Sequence, residues 1–442
     1  MGSIDPVSAT PTTAEVNDDY DQCIAGGFAP LPVALVSAHG SLAYDVEHKS
    51  YIDFLSMIAV NNMGHGHPKI VDAAVKALQS GATVNLAFQS PFYGRLARRL
   101  TQAFGYDRFV ALTSGGEAAD ASMKIARKWG HLVKGIPVGK CFILSASGCY
   151  HGVGLSPLSL ASKKSRLFET FLPQTGSTSP SGISIRYGCL EDVEMAFKLD
   201  GTEIAAFIVE PIQGAAGVIV PPDDYLPGVA RLCRQYNVLL IADEIQTGLG
   251  RCGYPLFHMK YGIRPDLVIL GKALSGGVYP VSGVLGDNHI MKLLDPYEVG
   301  STMAANPPGC AASLAAIDVL FDEGLSSRAL MLGDLLISTL KSSDPPHVKE
   351  YMGAGLLWAI VIKEKPPRVT SRRVIALLAQ RGVLANAIKG GRIRICPPLT
   401  ISTELLLQGV EIIVQTLRDV ESHLEGLPGE VVTIKYPIEP DK

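Results

Sequence analysis

No C-x-x-C pair occurs among the eight cysteines of this 442-residue chain, which lie scattered from Cys23 to Cys396. That spacing excludes a zinc site or a disulfide framework and fits a reducing compartment. Charge of one sign is also lacking: 39 basic and 42 acidic residues leave a net charge of −3. So small an imbalance offers no electrostatic footprint for nucleic acid or an anionic membrane surface, and neither is expected as a partner. No apolar run approaches the ~18 residues of a membrane span, although 47% of residues are hydrophobic and the mean hydropathy is +0.23. The surplus apolar surface is expected in a large core and a subunit interface. Residues 1–20 contain no arginine and no apolar core, unlike a mitochondrial leader or a secretory signal. Met1-Gly2 opens like a myristoylation site but has Pro6 where Ser or Thr belongs. A disordered lead over 1–20 and a cytoplasmic location are the expectations.

What is present is a long alternation of strands and helices. Near-continuous apolar runs at 109–113, 141–146, 204–209, 238–242, 267–270 and 281–286 suit strands covered on both faces. Helical stretches such as 117–129 and 227–236 lie between them. The pattern predicts an α/β fold with a mostly parallel central sheet flanked by helices, over about 66–318. Residues 319–442 mix helices with short strands such as 357–362 and predict a smaller α+β domain, against which 21–65 is expected to pack. The extended segment 430–436 has no derivable role.

Lys272 follows the apolar strand Val268-Ile269-Leu270 after the single residue Gly271 and precedes a glycine turn. Twenty-nine residues upstream, Val238-Leu239-Leu240-Ile241-Ala242 runs into Asp243. Singly, such residues serve as a solvent-reaching lysine and a helix-capping aspartate. Together they are what pyridoxal 5′-phosphate (PLP) chemistry requires: an amine to form a Schiff base with the aldehyde, and an acid to keep the pyridine nitrogen protonated. Thr113-Ser114-Gly115-Gly116-Glu117 lies where a strand meets a helix, either a plain turn or a cradle of bare N–H groups for the phosphate. Tyr150, in Cys149-Tyr150-His151-Gly152, is placed to stack on a ring or to sit buried with its hydroxyl satisfied. Gln246 either bonds the cofactor's phenolic oxygen or is an ordinary first-turn glutamine. Ser301-Thr302 precedes a helix, as a cap or a phosphate donor. Arg392-Ile393-Arg394 places two guanidiniums on one strand face, as surface charges on an edge strand or as a fork for a substrate carboxylate.

With these motifs the chain resembles the class III aminotransferases, fold-type-I PLP enzymes, and within them most closely the ornithine aminotransferases. The likeness covers about residues 25–420. It is carried by Gly64-His65-Gly66-His67-Pro68, Val209-Glu210-Pro211-Ile212-Gln213-Gly214, Ile241-Ala242-Asp243-Glu244-Ile245-Gln246-Thr247-Gly248 and Leu270-Gly271-Lys272-Ala273-Leu274-Ser275-Gly276-Gly277. It implies Lys272 and Asp243 as the catalytic pair. The cofactor would be held by Ser114, Gly115, Gly116, Tyr150, His151, Glu210 and Gln246. A homodimer with shared sites is implied, in which Thr302 reaches the neighbouring phosphate. Arg394 would bind the α-carboxylate of glutamate or 2-oxoglutarate.

The resemblance also has gaps. Where ornithine aminotransferases carry two tyrosines, an arginine and a glutamate that masks the carboxylate-binding arginine, this chain has Phe28, Ile58, Val153 and Ala215. Met303 and Ala304-Ala305 likewise stand in place of an aromatic and glycines. Each lost charged hydrogen bond costs about 1.5–3 kcal/mol, so ornithine is expected to be a poor substrate. A donor with an apolar side chain and its carboxylate on Arg394 fits better. Racemase, epimerase or other Cα-bond-cleaving chemistry on the same scaffold remains open, and so does a non-catalytic paralogue.

Overall fold

The computed structural model describes residues 11–25, 30–81, 88–161, 174–423 and 425–430. Three sheets organise it. The first begins with β1 (Leu35–His39), β2 (Leu42–Asp45) and β3 (Ser50–Asp53), paired antiparallel in sequence. The second has seven strands: β4 (Arg108–Leu112), β5 (Phe142–Ser145), β6 (Thr175–Gly176), β7 (Ile204–Val209), β8 (Leu239–Asp243), β9 (Leu267–Leu270) and β10 (Ser282–Gly286). Their order is β4-β10-β9-β8-β7-β5-β6, and β10 alone runs against its neighbours. The third contains β11 (Val348–Ala354), β12 (Leu357–Ile362), β14 (Asn386–Ile388) and β15 (Arg392–Ile395), in the order β11-β12-β15-β14. The fourth strand of the first sheet, β13 (Val383–Leu384), pairs parallel with β3 and ties the N-terminal strands to the C-terminal region.

Every residue of β7 and β8 is buried, as runs such as Ile-Ala-Ala-Phe-Ile-Val require when helices cover both faces. The helix Gly115–Leu132 covers one face with Ala118, Met123, Ile125 and Trp129 against Ile143, Ile208 and Ile269. The helices Leu190–Asp200 and Tyr225–Gln235 cover the other with Val193, Phe197 and Val229 against Leu144, Phe207 and Leu240. Parallel strands 4, 5, 7, 8 and 9 therefore end at one edge of the sheet, where open α/β sheets bind ligands.

Two expectations need correction. The lead does not lack structure throughout, because Thr13–Cys23 is a helix. Thr12 and Glu15 form a reciprocal capping box there, and Thr13 bonds Glu47 through its N–H at 3.0 Å and its hydroxyl at 2.7 Å. No residue of this helix is buried, so no apolar stripe announces it. The Arg392–Arg394 strand is interior rather than an edge, since β15 lies between β12 and β14. Of the extended segment 430–436, only Glu430 is among the described residues, ion-paired with Arg373.

Candidate active site

The strand ends converge on a cavity of about 420 Å³ lined by Lys272, Asp243, Glu210, Arg394, the Gly115-Gly116 turn and several apolar side chains. That size suits a cofactor or small ligand. Asp243 closes β8 and is buried. Its Oδ1 accepts the Ile245 N–H at 3.1 Å, and its Oδ2 lies 2.7 Å from His151 Nδ1. Burial alone would lower the His151 pKa, but the hydrogen bonds and charges of Asp243 and Cys149 outweigh it and hold the imidazole well above its ordinary value. His151 thus fixes the carboxylate's orientation from behind. His151 Nε2 is buried without a partner among the described residues.

Lys272 sits just after β9 with φ +46, a left-handed conformation disfavoured for a side-chain-bearing residue. Burial, reinforced by repulsion from Arg394, lowers its pKa against the attraction of Asp243 and Glu210. The shift is in the direction of the neutral amine, the form that acts as a nucleophile and proton acceptor. Glu210 follows β7 and accepts N–H bonds from Tyr150 at 2.9 Å and Gly214 at 3.1 Å. Burial, with the Asp243 charge adding to it, pushes Glu210 up to about 7 despite the pull of His151.

At the start of the helix Gly115–Leu132, Ser114 is the N-cap: its hydroxyl accepts the Glu117 N–H, and Glu117 accepts the Ser114 N–H at 2.7 Å. The Ser114 hydroxyl is therefore engaged in capping. A Cβ added to Gly115 would come 3.0 Å from Ile245 Cδ1, and one added to Gly116 would meet nothing within 4 Å. The bare backbone at Gly116 faces open space at a helix N-terminus, an arrangement that suits a phosphate.

Tyr150 lines the cavity and is half-exposed. Gln246 Nε2 lies 3.5 Å from Ile58 O, and its Oε1 crosses Gly214 so closely that an added Cβ there would come within 1.5 Å. Arg394 is buried; its Nη2 donates to Asn386 Oδ1 at 3.1 Å, and its Nε has no partner among the described residues. Asn386 is the cross-strand partner of Arg394 in the β14–β15 ladder, a role hidden until the register is known.

Ile58 and Ala215 line the cavity with Met57, Ile212 and Ile245, which sequence reasoning did not single out. Met57 and Ile58 belong to a turn, Ser56–Ala59, whose four residues have φ of +49, +48, +62 and +63. Four successive left-handed L-residues are unfavourable by about 1–2 kcal/mol each, so the surroundings must hold them. Val153 is 77% exposed and lines an adjoining hollow with Ser114 and Gly300 rather than the cavity itself. Thr302 lies in an exposed turn and does not line the cavity, although Ser301 beside it is 3.2 Å from the Thr113 hydroxyl; Phe28 lies outside the described residues.

The class III aminotransferase family model matches residues 24–417. Ornithine aminotransferase car2 of Schizosaccharomyces pombe is 39% identical over 414 residues, covering 93% of this chain and 94% of that protein. The ornithine aminotransferase of Toxoplasma gondii superposes with a TM-score of 0.88 at 33% identity, over 93% of this chain and 96% of the other. Acetylornithine aminotransferase of Elizabethkingia anophelis gives 0.82 at 37% identity, over 92% and 99%. Lys272 with a lowered pKa, the carboxylate of Asp243 and the open cradle at Gly116 fit the cofactor such enzymes use. The chain belongs to the class III aminotransferases and is a PLP-dependent enzyme.

Proposed function

We propose that the enzyme moves an amino group between a keto acid and an amino acid or amine with an apolar side chain, and that ornithine is not its preferred donor. One observation carries this: Arg394, with an unpartnered Nε, is the one guanidinium among the described residues lining the cavity, and Met57, Ile58, Ile212, Ala215 and Ile245 supply apolar surface there beside Glu210 and Gln246. A donor's carboxylate belongs on Arg394, and its apolar remainder belongs on the side chains around it. The second amino or carboxylate group of ornithine would meet no charged partner at Ile58 or Ala215. Relatives bear the names ornithine and acetylornithine aminotransferase, so a capped or apolar donor departs from the first of these and lies nearer the second.

Bound PLP supplies an aldehyde for amine attachment and a ring that accepts electrons. The chain's groups do the rest. Gly115 and Gly116 N–H groups would hold the phosphate, Tyr150 would cover the ring, and Asp243, oriented by His151, would keep the ring nitrogen protonated. Lys272 Nζ, the amine lining the cavity, would accept and hold the substrate Cα proton. The open flank shared by Gly116, Ser114, Val153 and Gly300 fits a second copy of the chain completing the site as a homodimer, with Thr302 facing the neighbouring phosphate.

The test is a half-reaction with no keto acid present, mixing the yellow holoenzyme with amino acids and amines in deuterated buffer. Loss of visible absorbance with apolar donors, faster than with ornithine, is expected. Ornithine outpacing every apolar donor would overturn the proposal. Deuterium uptake at Cα with the visible band restored would point to racemisation.

A further inference from the structure

The left-handed turn Ser56–Ala59 does not hold its shape by preference. Asp53, the last residue of β3, is buried and does not line the cavity. Its Oδ1 accepts the N–H groups of Leu55 and Ser56, both at 2.8 Å. Its Oδ2 lies 2.7 Å from His65 Nε2. Asn61 Nδ2, which can only donate, is 3.1 Å from His65 Nδ1. His65 Nδ1 is then the acceptor, and Nε2 carries the proton given to Asp53. Within this clamp the turn closes on itself, with Ile58 N–H to Leu55 O at 2.8 Å and Val60 N–H to Ser56 O at 2.7 Å. At the cavity side Gln246 reaches the Ile58 carbonyl at 3.5 Å while lying across Gly214. The turn is thus suspended between a buried carboxylate behind it and a cavity-lining amide in front.

Non-glycine residues keep such a conformation only where the surroundings over-determine it, and such sites cluster where ligands are gripped. Release of the clamp would let the chain fall back to right-handed or extended backbone. Because the turn's own residues Met57 and Ile58 line the cavity, that relaxation would move the wall. We propose that Asp53 is a positioning residue for donor choice, holding the turn so that Met57 and Ile58 set the length of apolar side chain the cavity admits. This rests on the reading that the donor's side chain lies along Met57 and Ile58.

The experiment compares full-length holoenzyme with Asp53→Ala, Asp53→Asn and Met57→Ala. The first measurement is the ratio of half-reaction rates for a short and a long linear 2-amino acid, 2-aminobutyrate and 2-aminooctanoate. The second is the calorimetric affinity for butanoate and octanoate, which bind without reacting. In an apolar pocket one methylene is worth about 10-fold or more, so Asp53→Ala and Met57→Ala are expected to shift both ratios by about that factor. Asp53→Asn keeps an acceptor for the Leu55 and Ser56 N–H groups but sets an NH2 against the His65 Nε2–H, so its shift should fall between the parent and Asp53→Ala. A folded Asp53→Ala enzyme that loses activity equally on both donors, with unchanged affinity ratios, overturns the positioning role. If Met57→Ala shifts the ratios and Asp53→Ala does not, the wall is read correctly and the clamp is wrong. If neither shifts them, both fail. Should Asp53→Ala not fold, His65→Ala carries the test, since it frees Oδ2 and leaves Oδ1 bonded; a shift of both ratios in the same direction supports the clamp, and unchanged ratios overturn it.

Discussion

The two walls of the cavity are built in opposite ways. The wall proposed for the cofactor is polar, and its groups stand at or just beyond strand ends: Asp243 closing β8, Glu210 after β7, Lys272 after β9. Each is braced by a short hydrogen bond or by the buried sheet behind it. The wall proposed for the substrate is mostly apolar and hangs on turns, with Met57 and Ile58 on left-handed backbone and Ala215 beside Gly214. Arg394 is its exception, a strand residue held by Asn386. Chemistry shared by a whole family belongs on the rigid edge, whereas substrate choice belongs on turns that a few substitutions can reshape.

If this division holds, the largest effect comes from the first wall and is blind to the donor. Replacing Lys272 with Ala removes both the nucleophile and the proton carrier, and the half-reaction should slow by at least about 10⁴-fold with every amine tested. Stopped-flow absorbance measures it. A Lys272→Ala enzyme that loses one donor more than another would place Lys272 in substrate selection as well.

Arg394→Lys strikes the second wall. A lysine keeps the charge but not the planar fork, and it cannot use Asn386 in the same way. Loss of one charged hydrogen bond predicts about 10–100-fold weaker donor binding, read as a raised KM, with little effect on amines that lack a carboxylate. Equal loss on carboxylate-bearing and carboxylate-free donors would remove Arg394 from donor recognition.

Glu210 tests whether the cofactor wall carries a cost in stability. Its pKa in the folded protein, pushed up to about 7 by burial, exceeds the ordinary carboxylate value of 4.5. The folded state therefore binds the proton more tightly than the unfolded state. This contribution is fully present below about pH 4.5 and is lost as pH rises through about 7. Urea unfolding of the apoprotein should show Glu210→Gln gaining on the parent by roughly 3 kcal/mol across that window. A constant difference between the two proteins from pH 4.5 to 7 would mean that Glu210 is ionised throughout.

The same division governs what could be read from sequence. Six strands of the central sheet are legible as apolar runs, because burial on both faces forces continuous hydrophobicity. β6 is only two residues long and leaves no pattern. β10 reads like its parallel neighbours, since strand direction leaves no mark on composition. Lys272 and Asp243 are legible because a charge at the end of a buried strand is costly without a purpose. Met57 and Asn386 are not legible: one depends on a left-handed backbone, the other on a cross-strand register, and neither is a property of residue type. The positions of Val153 beside the cavity and Thr302 on an exposed turn are also properties of loops, which no periodicity encodes.

Ala215→Glu gives the smallest expected effect and tests the comparison most finely. Ala215 lines the same cavity as Arg394 and lies one residue from Gly214, whose N–H is already bonded to Glu210. The backbone there is thus anchored, and a new side chain can enter without remodelling the turn. A carboxylate introduced at 215 would compete with the donor's own carboxylate for Arg394. Because the cavity is open to solvent at Tyr150, that competition should be modest, worth about 1 kcal/mol or fivefold in KM. It should appear only with donors that place a carboxylate on Arg394, and raising ionic strength should diminish it. Carboxylate-free amines should react at an unchanged or slightly higher rate, since a negative charge beside Arg394 offsets the repulsion of their ammonium groups. Unchanged selectivity in Ala215→Glu would mean that position 215 does not govern access to Arg394.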